Sequence, residues 1–70
     1  MFFFRSFTYG DRVHRFVVTS DRAGWDVMED EDRAIVRHVH RDDWPRVERD
    51  RLLFDRTAFA LKHDGWTEQG

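Results

Sequence analysis

His38-Val39-His40 is the tightest grouping of metal-capable side chains in the chain. On a strand, alternate residues share a face roughly 6.6 Å apart, so these two imidazoles stand side by side. The other two histidines are His14, on an earlier segment, and His63, far downstream. Zinc takes three or four converging ligands held by supporting partners, and the sequence puts only two in register. The chain has no Cys to add a thiolate. No metal and no other cofactor is expected.

Other groupings point to solvation. Glu29-Asp30-Glu31-Asp32 lacks the alternating oxygen ligands and central glycine of a calcium loop. It reads as a loop at a hairpin tip, where a run of acids discourages edge pairing. Serine occurs only at Ser6 and Ser20, without a nucleophile elbow or a paired base. Four glycines make no phosphate-cradling loop. The carboxylates lie beside arginines and read as surface ion pairs, worth about 0 to 1 kcal/mol each. So small a core also leaves little volume for a ligand pocket of several hundred cubic ångströms. No enzymatic activity is expected.

Two binding readings come from the second half of the chain. Arg33, Arg37, Arg41 and Arg46, with His38, His40 and Trp44 interleaved, resemble the mix of cations and flat rings that grips phosphates and bases. Asp42, Asp43, Glu48 and Asp50 lie in the same stretch, and the net charge is −2, against the basic balance of a dedicated nucleic-acid binder. Nucleic acid through Arg33, Arg37, His38, His40, Arg41 and Arg46 is therefore the alternative.

The leading reading is a non-enzymatic interaction module that self-associates. Projected at about 100° per residue, the segment after Pro45 carries two apolar stripes. Val47, Phe54, Ala58 and Leu61 form one, with Trp44 at its edge; Leu52, Leu53, Phe59 and Ala60 form a second, looser one, punctuated by Arg49, Arg56 and His63. One stripe is enough to cover a sheet. The second leaves a sizeable apolar patch for the Phe2-Phe3-Phe4 terminus, a second copy or a different protein. A domain this small buries only about 60% of its unfolded surface, and without disulfides or metal, oligomerisation is the ordinary remedy. A homodimer through Leu52, Leu53, Arg56, Phe59 and Ala60 is expected.

The elements that must position these residues follow from periodicity and breakers. Period-2 alternation predicts strands at 2–9, 13–19, 25–28 and 34–40, separated by Gly10-Asp11, the segment from Ser20 to Gly24, and the acidic run. Asp42-Asp43-Trp44-Pro45 starts a helix, since proline suits the first turn and an aspartate before it can cap the free amides. No breaker follows until Asp64-Gly65, so the helix covers about 44–64, roughly 30 Å long. Residues 67–70 are expected to be a disordered tail.

The expected fold is α+β: a small antiparallel meander of three to four strands, then one long C-terminal helix packed on one sheet face. The predicted core is Phe3, Phe7, Val17, Trp25, Val27, Ile35, Val39, Trp44, Val47, Phe54, Ala58 and Leu61, with Phe16 and Val18 pointing away from the helix. A one-residue slip would exchange these faces. Seventy residues, 37% of them charged but 16% aromatic, fit one packed domain, 1–70, better than a disordered chain. No apolar run approaches the roughly 20 residues that cross a bilayer. Arg5 interrupts the opening phenylalanines before a signal-peptide core can form. A cytoplasmic protein without membrane contact is expected.

Overall fold

A computed structural model describes residues 3–69. Four strands, β1 (Phe3–Tyr9), β2 (Arg12–Asp21), β3 (Gly24–Glu31) and β4 (Ala34–Arg41), precede a helix, α1 (Trp44–His63), and a last strand, β5 (Thr67–Gln69). The sheet is antiparallel throughout, in the order β4-β3-β2-β1-β5. The fold is thus α+β, with five strands where three to four were expected. The helix leaves one sheet edge, crosses a single face, and returns the chain to the opposite edge. Among the described residues no helix is long and apolar enough to cross a membrane.

Turn lengths decide which side chains meet the helix. The two-residue loop Gly10-Asp11 pairs Phe3 with Val18, Phe7 with His14 and Tyr9 with Arg12. Odd positions of β1 therefore share a face with even positions of β2. This corrects the expected core: Phe16 and Val18 are buried beneath α1, and Val17 lies on the other face. Both faces of β2 are equally apolar in sequence, so alternation could not choose between them; the parity of the hairpin does.

A second correction lies in β4. Trp25 pairs with Arg41, Val27 with Val39 and Glu29 with Arg37, but a β-bulge then shifts the register so that Asp30 meets Ile35. One extra residue moves the rest of the pairing to the opposite face. Ile35, expected in the core, is 61% exposed. Trp44, also expected in the core, sits at its margin, its ring tilted against Trp25 at 5.6 Å.

The acidic run is no loop, because β3 continues through Glu31 and its carboxylates meet cations across the sheet. Arg15 binds Asp30 with two hydrogen bonds, Arg12 binds Glu31, and Glu29 faces His14 at 2.6 Å. The turn contracts to Asp32 and Arg33, both at positive φ, 53° and 70°. Gly24 fills a tighter place: its φ is 132°, and a Cβ there would lie 2.3 Å from the Arg41 carbonyl oxygen.

The core lies between α1 and the inward sheet face: Phe7, Phe16, Val18 and Val27 from strands, Val47, Phe54 and Ala58 from the helix, with Phe3, Trp25, Val39, Leu61 and Trp66 around them. Phe54 is its centre, stacked on Phe16 at 4.4 Å and on His14 at 6.0 Å. Asp43 caps the helix by accepting the Arg46 N–H, and Gly65, at φ 97°, ends it. Residues 67–69, expected to be disordered, form β5 against β1. Glu68 anchors this strand by accepting two hydrogen bonds from Arg5. Residues 1, 2 and 70, which end the expected first strand and the expected tail, lie outside the described residues.

Candidate interaction surface

The helix is the only element lying on the inward sheet face among the described residues, so one of its sides must meet solvent. Val47, Asp50, Phe54 and Ala58 are buried on the inward side. At about 100° per residue, Leu53, Phe59 and Leu52 lie about 105°, 135° and 155° from the middle of that side and are 45%, 76% and 63% exposed. Arg56 and Ala60 are exposed between them. The five residues form one surface, with Leu52, Arg56 and Phe59 along its ridge and Leu53 and Ala60 beside it. Phe3 and Phe4 do not cover it: Phe3 packs edge-on to Phe16 under the Arg51 guanidinium at 4.3 Å, and Phe4 belongs to the opposite sheet face; Phe2 lies outside the described residues.

Charges flank this surface unevenly. On one flank Glu48 accepts from Arg51 at 2.8 Å, Asp55 accepts from Arg5 at 2.9 Å, and Lys62 reaches Glu68 at 3.0 Å. The hydrogen bonds from Arg5, then those from Lys62, hold the Glu68 carboxyl down to about 2. Arg49 and Arg56 carry no ion pair among the described residues. Asp55 keeps 60% of its side chain exposed, so one of its oxygens stays open to a further cation.

The arginine and histidine set is not brought together. Arg37 and Arg41 turn under the helix and converge on Asp50, whose side chain is 2% exposed. Arg37 Nη2 donates at 2.8 Å, Arg41 Nε at 2.9 Å and Arg41 Nη2 at 3.2 Å. Burial pushes the Asp50 carboxyl upward, but the Arg41 hydrogen bonds and both guanidinium charges carry it below its ordinary value. His38 and His40 alternate with Arg37 and Arg41 and so occupy the opposite sheet face. Arg33 stands at the β3–β4 turn, and Arg46, 3.6 Å from Asp43, at the helix start.

Nor do the four histidines converge. His14 is buried beneath Phe54 and Trp66, and His63 ends the helix. His38 and His40 share instead a carboxylate from β3: Asp26 Oδ1 lies 3.6 Å from His38 Nε2 and 3.0 Å from His40 Nδ1. Two open clefts mark the surface of the described residues, one at Asp11–Val13 with Asp32 and Arg33, another along residues 20–25 with Asp42.

The chain matches no family model, and comparison with curated proteins and with solved structures found no match.

Proposed function

We propose that this protein is a non-enzymatic interaction module whose working surface is the outer side of α1, and that the surface is occupied by a second copy of the same chain. The observation that carries the reading is the exposure of Leu52, Leu53 and Phe59 directly behind a helix side that already covers the sheet. An isologous contact asks one patch to complement itself, and this one does. In an antiparallel pairing of two α1 helices, Leu52 of one copy faces Phe59 of the other. The same register sets Arg56 beside the second copy's Asp55 twice over, joining an unpaired cation to an open carboxylate. It also brings Glu48 near the C-terminal turn and His63.

The area limits the affinity. Together the three side chains expose roughly as much as two fully exposed ones, worth about 3 to 5 kcal/mol on burial at 1.5 to 3 kcal/mol each. Two copies contribute about 6 to 10 kcal/mol, set against an association cost on the order of 4 to 15 kcal/mol. The flanking ion pairs add about 0 to 1 kcal/mol each. Gain and cost are of similar size, so the proposed dimer is weak and reversible. The division of the set, with Arg37 and Arg41 paired to Asp50 on one sheet face and His38 and His40 on the other, favours this reading over nucleic acid.

Sedimentation of the chain from about 10 μM to 1 mM tests it. The mass should rise from 8.6 kDa toward twice that value, and Leu52→Asp with Phe59→Asp should hold it at the monomer. These positions are exposed, so the variant should keep its stability within about 0.5 kcal/mol. A parent chain that stays monomeric throughout refutes the proposal.

A further inference from the structure

We infer that Asp21, Asp26 and His40 bind one divalent transition-metal ion of the zinc class on the sheet face away from the helix. His40 is the centre of the site. Its Nε2 lies 3.0 Å from the carbonyl oxygen of Ala23, which can only accept, so Nε2 bears the hydrogen. In the neutral ring Nδ1 then presents a lone pair, and that lone pair meets Asp26 Oδ1 at 3.0 Å. Two acceptors hold this separation only with positive charge between them, either a proton or a metal ion. With the proton in place, the Asp26 hydrogen bond holds His40 above the ordinary imidazole range, and the His40 hydrogen bond holds Asp26 below the carboxylate range.

The spacing suits a metal ion in the proton's place. Zinc bonds nitrogen and oxygen at about 2.0 to 2.1 Å, so two ligand atoms in a tetrahedral shell stand about 3.3 Å apart. Asp26 Oδ1 and His40 Nδ1, 3.0 Å apart, lie within a few tenths of an ångström of that value. Asp21 supplies the third group: its ligand atom and those of Asp26 and His40 all lie within 4.8 Å of one another.

One peptide segment orients two of the ligands. The Ala23 N–H donates to Asp21 Oδ1 at 2.8 Å, and the Ala23 carbonyl accepts from His40. A backbone carbonyl on the far ring nitrogen is the support that metal-binding histidines usually have. One imidazole with two carboxylates, a set found at open zinc sites, suits zinc better than magnesium and calcium, which take oxygen alone. A bound ion would tie the β2–β3 turn to the edge strand β4.

Titration of the chain with zinc chloride alone, followed by calorimetry and by histidine ring NMR, tests the inference. One ion should bind per chain and raise the Tm. Ring shifts should be centred on His40, with His14 and His63 unmoved. Affinity should fall about tenfold or more in Asp26→Asn and in His40→Gln, and zinc should no longer raise the Tm of His40→Gln. Ring NMR of the metal-free variants establishes that each is folded. No binding at roughly 1 mM zinc, undiminished affinity in His40→Gln, or shifts centred on His14 or His63 would overturn it.

Discussion

Replacing Asp50 by Ala removes the one carboxylate toward which two strand arginines turn beneath the helix. Three hydrogen bonds from guanidinium groups are lost, at 2.8, 2.9 and 3.2 Å. Breaking a buried pair from one side costs about 3 to 5 kcal/mol, because a charge is left without a partner. Here the survivors are the arginines, whose side chains are 36% and 25% exposed and can recover part of their hydration. The loss should therefore lie near the lower limit, about 3 kcal/mol. For 70 residues at about 0.05 to 0.15 kcal/mol each, the total stability is on the order of 4 to 10 kcal/mol, so the loss is a large share. At about 4 to 8 °C per kcal/mol, the Tm should drop roughly 12 to 24 °C. Arg41→Ala, which removes two of the three bonds, should cost more than Arg37→Ala. The double variant Asp50→Ala, Arg41→Ala should cost less than the sum of its parts. Urea unfolding of the four variants measures all of this. Asp50→Ala within about 0.5 kcal/mol of the parent would refute the buried-cluster reasoning.

The remaining predictions concern the sheet. Arg33 sits at φ 70° in a two-residue hairpin loop, where a side chain carries left-handed strain of about 1 to 2 kcal/mol. Arg33→Gly should raise stability by about 0.5 kcal/mol after the greater freedom of the unfolded glycine, visible as a Tm a few degrees higher. Glu68, with its carboxyl at about 2, stabilises the fold fully at pH above its unfolded value of about 4.3. That contribution fades as pH falls toward 2, because protonation weakens the hold on Arg5 and Lys62. Glu68→Gln should flatten this acid limb and speed amide exchange at Thr67–Gln69 while the β2 and β3 amides stay protected.

Much of the fold is legible because it rests on local chemistry. Asp43 and Pro45 start the helix and Gly65 ends it, each through a backbone requirement that residue type alone reveals. The faces of the strands depend on pairing, which is not local. Val13, Val17 and Thr19 are as good an inward set as His14, Phe16 and Val18 until the loop at Gly10-Asp11 sets the parity with β1. Ile35 is turned outward by a bulge that leaves no mark on composition. β5 is three polar residues, illegible without the arginine that waits on β1. Asp50 reads as a surface charge until helical spacing places it in line with Val47 and Phe54. Asp26 is within reach of arithmetic: counting back from a tight turn at Asp32-Arg33, with one bulged residue, sets it opposite His40.

The two candidate surfaces come from the same shortage. A sheet with one helix can shield only one of its faces, and that helix can bury only one of its sides. The residues left over fall into two chemically different groups on opposite sides of the molecule. On the helix they are large and apolar, and water is their least favourable neighbour, so a matching apolar surface is the partner that answers them. On the open sheet His38, His40 and Asp26, which water solvates well, stand on the same face as Phe4 and Ile35, 44% and 61% exposed, so that face offers polar ligands to a cation beside scattered apolar surface. Trp25, Val27 and Val39 lie between the two groups, alternating along the same strands with Asp26, His38 and His40. Metal binding therefore reaches the helix only through packed side chains that need not move, and the two surfaces should act independently.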